Sequence, residues 1–161
     1  LAELDSLGPE SRGTAQVLEF RMIRASDLGD VREMGKCLTE VSDQLSSDPV
    51  FWYYRAWYAS RVQRTDEALT SLEQALKLNP LSSLSRHLLS QVLREKGDTA
   101  EAAHQANLAS RGTRIITEIR RLPHLNDTPP PLLREIAELA RECGDFGIAQ
   151  GIHRHQDPNM R

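Results

Sequence analysis

Five histidines, two cysteines and a dispersed set of carboxylates are the side chains of this 161-residue chain that could do acid–base, nucleophilic or metal chemistry. His153 and His155 form the closest pair. Residues two apart point to different sides of a helix, and no nearby Cys or Asp set completes a tetrahedral site, so both are expected to be surface histidines with no metal. Cys37 and Cys143 lie far apart, in neither a metal-like nor a redox spacing; they are expected to be buried thiols rather than a disulfide framework. There is no Gly-rich phosphate loop, no nucleophile elbow and no His-Glu metal helix, and the carboxylates are spread over solvent faces. The chemistry-bearing residues therefore predict no enzyme, no catalytic group and no cofactor.

Charge narrows the partners. The formal net charge is −3, with acidic and basic residues interspersed, which favours neither nucleic acid nor an anionic membrane surface. Arg111, Arg114, Arg120 and Arg121 cluster where a long helix is expected to end, and cations there complement the helix dipole. No apolar run approaches the length of a membrane span, and the first residues are not a charged-then-apolar secretion signal. The chain starts without Met, so an excised or processed piece is expected. A soluble, cytoplasmic setting is favoured, and a processed exported form stays open.

What remains is binding. Six of the eight aromatic residues, namely Phe51, Trp52, Tyr53, Tyr54, Trp57 and Tyr58, fall within two turns of one helix. The elements around it follow from apolar spacing and breakers. Residues 14–26 form a first helix. Val31, Met34, Leu38, Val41 and Leu45 recur at intervals of three and four, the stripe of a second amphipathic helix. Asp48-Pro49 caps an aromatic helix over 50–62, and Thr65 or Asp66 caps another to 78. Ser82-Ser83 caps a helix to 95, and Thr99 opens an Ala-rich helix to 119. Gly112 is expected to interrupt it, at a cost of about 1 kcal/mol relative to Ala. Residues 127–131 cap a helix over 132–142, and a last helix spans 146–155. No segment alternates with period two, so the chain is expected to be all-α.

The helices pair, and the pairs repeat. Gly-Asp occurs at Gly29-Asp30, Gly97-Asp98 and Gly144-Asp145; the first two are 68 residues apart, twice 34, and the intermediate copy falls at Gln63-Arg64. Ala68 and Ala102, Ala75 and Ala109, and Leu38 and Leu72 are each separated by 34. The stretch from Trp52 to Pro80 resembles the tetratricopeptide repeat: Trp52 takes the opening aromatic, Ala56 and Ala68 the small positions, Leu72 the bulky one, Ala75 a small one and Pro80 the stop. Arg55 and Ala59 depart from the pattern, as does Met34 in the preceding copy.

The resemblance implies a right-handed superhelical array of antiparallel helix-turn-helix hairpins: a preceding element or linker at 1–13, repeats at 14–48, 49–82 and 83–122 (the third with an extended second helix), a linker at 123–130 and a partial or degenerate repeat at 131–161. It further implies that the first helix of each repeat lines a concave groove. On that register Tyr53 and Trp57 face the groove, unless they are extra core covered by a neighbouring loop or repeat. Trp52 points between the paired helices, and Phe51 and Tyr58 pack on the preceding hairpin. His87, Gln91 and Arg94 take the equivalent places in the next repeat, Arg134, Glu138 and Arg141 in the last, Glu19 and Ile23 in the first. The Lys and Asn clamp by which some relatives hold chaperone C-termini is replaced by Glu19, Ile23, Tyr53 and Trp57. The expected function is a non-catalytic protein–protein interaction module, its partner-binding residues Tyr53, Trp57, His87, Gln91, Arg94 and Arg134 meeting a protein or peptide ligand. The alternative is a spacer or self-association segment, a homodimer formed through exposed hairpin ends.

Overall fold

Turn chemistry places the helices. The structure, a computed structural model, describes residues 15–40 and 47–156, with side chains for all of these but 15, 155 and 156. Among them are α1 (Ala15–Leu28), α2 (Val31–Thr39), α3 (Pro49–Arg61), α4 (Thr65–Leu78), α5 (Ser83–Lys96), α6 (Thr99–Ile119), α7 (Pro130–Glu142) and α8 (Phe146–Gln156), and no strand. The fold class is all-α, as the sequence predicts. The element expected before residue 14, and Val41 and Leu45 of the expected stripe, lie outside the described residues; α2 is described to Thr39.

The helices pair as hairpins α1/α2, α3/α4, α5/α6 and α7/α8, and one turn serves all four. Gly29, Gly97 and Gly144 hold φ of +68°, +94° and +82°, the left-handed conformation that glycine adopts without a Cβ penalty. The next residue then donates its N–H back into the finished helix: Asp30 to Ala25 O at 2.8 Å, Asp98 to Leu93 O at 2.9 Å, Asp145 to Ala140 O at 2.8 Å. Each aspartate also caps the helix it opens, its carboxylate accepting from the N–H three residues on, at Glu33, Glu101 and Ile148. In the α3/α4 turn Gln63 stands at φ +60° and Arg64 N donates to Ala59 O at 2.9 Å. The backbone is the same with neither glycine nor aspartate.

The chain divides into two compact units between Leu78 and Asn79. In the first, α3 and α4 approach closely because Ala56, Ala59, Ala68 and Ala75 carry almost no side chain; all four are fully buried with Leu72. Met34, where the repeat pattern wants a small residue, is also fully buried. One residue on, a Cβ on Gly35 would stand 3.1 Å from the Tyr58 ring, so Tyr58 packs on the preceding hairpin as expected. Arg21 ties α1 to α2, its guanidinium reaching Glu33 at 2.7 Å and Glu40 beyond it.

In the second unit α6 has 21 residues against 14 in α5, and the extra turns seat α7. Leu108 and Ile115 of α6 join Leu132 and Leu139 of α7 in one cluster, flanked by Leu81, Ile119, Ile136 and Cys143. Gly112 does not break the helix. It is buried where α6 meets Ser83 of α5 and Leu139 of α7. The arginines expected to serve the helix dipole are partly spent elsewhere: Arg111 pairs with Glu142 at 2.7 Å, and Arg114 with both Glu118 and Glu135. Pro129, not Thr128 or Asp127, is the residue before α7, and Leu125–Asp127 form a short 3-10 turn.

Candidate functional site

The first unit holds the aromatic residues. Asp48 caps α3, its carboxylate accepting from Val50 N at 2.8 Å, with Pro49 in the first turn. Along the helix the rings pair edge to face, Phe51 with Trp52 at 5.4 Å and Tyr53 with Tyr54 at 5.1 Å between centroids. The Arg55 guanidinium stacks over Trp52 and that of Arg61 over Trp57, each at 5.4 Å. Trp57 is only 5% exposed and Tyr54 7%. Tyr53 is half-buried; burial pushes its hydroxyl pKa up, and the adjacent Ser26 of α1 opposes that shift. The helical spacing of Tyr53 and Trp57 holds, but a ring four residues before Arg61 acquires a cationic cover from its own helix. Trp57 therefore stands in the structure as a covered ring, while Tyr53 keeps part of its edge open.

The second unit holds the other four residues. His87, Gln91 and Arg94 are exposed in a row on α5, spaced by four and three, with the His87 and Gln91 side chains 3.1 Å apart. Arg134 is exposed on α7. Neither Arg94 nor Arg134 forms an ion pair among the described residues, in contrast to Arg111 and Arg114 of α6. The opposite face of α5 is buried: Ser85, Arg86, Leu88, Ser90, Val92 and Leu93.

Arg86 is the polar residue that helical patterning does not single out. It is 6% exposed and donates to Pro80 O at 2.7 and 3.1 Å and to Gln105 Oε1 at 2.7 Å. Gln105 Nε2 in turn donates to Glu101 Oε1 at 2.7 Å. The guanidinium is satisfied by carbonyl oxygens, with the carboxylate one residue further out, so it pins the entry of α5 to α6. Cys143 lies against it; burial pushes the thiol pKa up and Arg86 opposes the shift. Cys37 is fully buried, its thiol pushed up to about 11 by burial.

Among the described residues no three His, Cys, Asp or Glu side chains converge as metal ligands, and no helix is long and apolar enough to cross a membrane. His153 accepts from Arg141 at 2.8 Å across the last hairpin, and the His155 side chain lies outside the described residues.

No curated protein and no solved structure gives a match to the chain. A family model described as tetratricopeptide repeat matches residues 10–117, a span that takes in the hairpin α3/α4, the hairpin α5/α6 but for the last two residues of α6, and the Gly-Asp turns of α1/α2 and α5/α6. On that match, and on the hairpins it covers, the chain belongs to the tetratricopeptide repeat family.

Proposed function

We propose that the chain is a protein-binding module whose ligand contacts come from the first helices of its hairpins. Tetratricopeptide repeats generally mediate protein–protein interaction, and the family is typically non-catalytic. The observation that carries the finer reading is the α5 row. A helix buried along one face presents His87, Gln91 and Arg94 along the other, and Arg94 has no carboxylate partner among the described residues. An unpaired guanidinium on a rigid helix suits a ligand carboxylate, with two parallel hydrogen bonds in reach, and Arg134 on α7 offers a second. Tyr53 contributes a partly open aromatic edge in the first unit. Binding to acidic peptides selected from a displayed random library is expected to weaken about tenfold in Arg94→Ala. Ligands indifferent to Arg94→Ala, His87→Ala and Arg134→Ala together would remove the α5 and α7 contacts from the reading.

Self-association is the second reading, and it draws on α8, where Phe146 is 60% and Ile148 42% exposed. Sedimentation across a concentration series separates the two, since a chain that stays monomeric has no use for that face as a dimer contact.

A further inference from the structure

A cleft between the start of α1 and the start of α3 lies wholly within the first unit, apart from the α5 and α7 residues assigned above. Leu18 and Met22 of α1 and Tyr54 of α3 form its floor, all at least nine-tenths buried, Phe51 its wall, and Val50, 38% exposed, its mouth. Its volume of about 90 Å³ suits one aliphatic side chain; small-molecule sites run to roughly 300–1,000 Å³. Glu19 and Asp48 line the same opening, and neither forms an ion pair among the described residues. Asp48 is held in place by its cap to Val50 N. Tyr54 stays a neutral donor at the floor, pushed up to about 12 chiefly by burial, with Tyr53, then Asp27 and Glu19, adding to the shift.

We infer that this cleft seats a partner-protein segment that presents an aliphatic side chain next to a lysine or arginine. The apolar floor supplies the area for the aliphatic group. Closing the mouth with a neutral or acidic segment would strip water from two carboxylates and leave them uncompensated, which is costly; a cation beside the aliphatic group compensates both. The inference rests on the reading of the chain as a protein-binding module but not on the α5 row, whose ligand chemistry is of the opposite sign.

The test selects short random peptides displayed on phage against the whole chain and titrates synthetic amidated copies by fluorescence anisotropy. The expected winners pair Leu, Ile, Val or Met with Lys or Arg. Their affinity falls at least about tenfold in Glu19→Gln/Asp48→Asn, which removes both charges while Asn keeps the helix cap. It is lost in Val50→Arg. Selection that yields no such peptides, or yields ones indifferent to Glu19→Gln/Asp48→Asn, overturns the inference. Acidic winners lost only in Arg94→Ala overturn it while leaving the α5 reading standing. Self-association of the parent chain that Val50→Arg abolishes gives the cleft to a second copy and overturns it as well.

Discussion

Ser83 Oγ and Gly112 occupy the same space: a Cβ built on Gly112 would stand 2.3 Å from that oxygen, which is buried with no hydrogen-bond partner among the described residues. A glycine in mid-helix costs about 1 kcal/mol relative to Ala, and a buried unpaired hydroxyl costs about 1–3 kcal/mol. The two costs share one cause. Ser83→Ala is expected to stabilise the second unit by about 1 kcal/mol, and Gly112→Ala to add about 1 kcal/mol more only in the Ser83→Ala background, where the nearest atoms, Ser83 Cβ and Leu139 Cδ2, stand at 3.6 and 3.7 Å. Urea denaturation of the four variants, followed by far-ultraviolet circular dichroism, gives the coupling. Additive effects would mean that the contact carries no energy.

Gln63 invites the opposite change. It holds φ +60° where the other three hairpin turns use glycine, and the left-handed conformation costs a residue with a Cβ roughly 1–2 kcal/mol. Gly at this position gives part of that back through a freer unfolded chain, so Gln63→Gly is expected to stabilise the first unit by about 0.5–1 kcal/mol. Both tryptophans, Trp52 and Trp57, lie in the first unit, so their fluorescence reports its unfolding. No rise in the urea midpoint would show that Gln63 carries no strain.

The Gln63 turn also shows how far the sequence could be read. Period 34 locates the turn between Gly29 and Gly97 without any glycine there, because the alanines and leucines on either side keep the register. The helix bounds from α3 to α6 are legible for the same reason, each being marked by a cap, a proline or a turn. Trp57 was not: helical spacing tells which face a ring shares with Tyr53, but not that Arg61 one turn on will lie over it. Arg86 was not legible either, since its partners Pro80, Gln105 and Cys143 are brought to it only by the packing of α5, α6 and α7. Gly112 reads as a helix breaker locally, and its reason is a serine 29 residues away.

Acid should loosen the first unit only once pH falls below 4.5, the ordinary glutamate value. Hydrogen bonding to Arg21, opposed by partial burial, holds Glu33 below its ordinary value of 4.5. A depressed carboxylate contributes stability above its unfolded pKa and loses it as pH falls through the folded one. The fluorescence-detected urea midpoint is therefore expected to be insensitive to this group from neutrality down to about pH 5 and to decline below 4.5. Glu33→Gln should flatten that decline and lower the neutral-pH midpoint. An unchanged acid slope would show that Arg21 relies on Glu40 alone.

Trp57→Ala separates a ring that builds the unit from one that meets a ligand. As an open groove residue it could be truncated with helicity intact. At 5% exposure, on a helix whose Tyr54, Ala56 and Ala59 are also buried, its removal leaves a cavity, and truncation of a buried Trp costs about 3–5 kcal/mol. The remaining Trp52 reports the transition, which is expected at a much lower urea concentration, while Tyr53→Phe, which keeps the ring and loses only a partly buried hydroxyl, shifts it by about 1 kcal/mol or less. A Trp57→Ala chain with an unaltered midpoint and weakened peptide binding would restore Trp57 to the contact surface, and would require the Arg61 cover to swing away when a ligand binds.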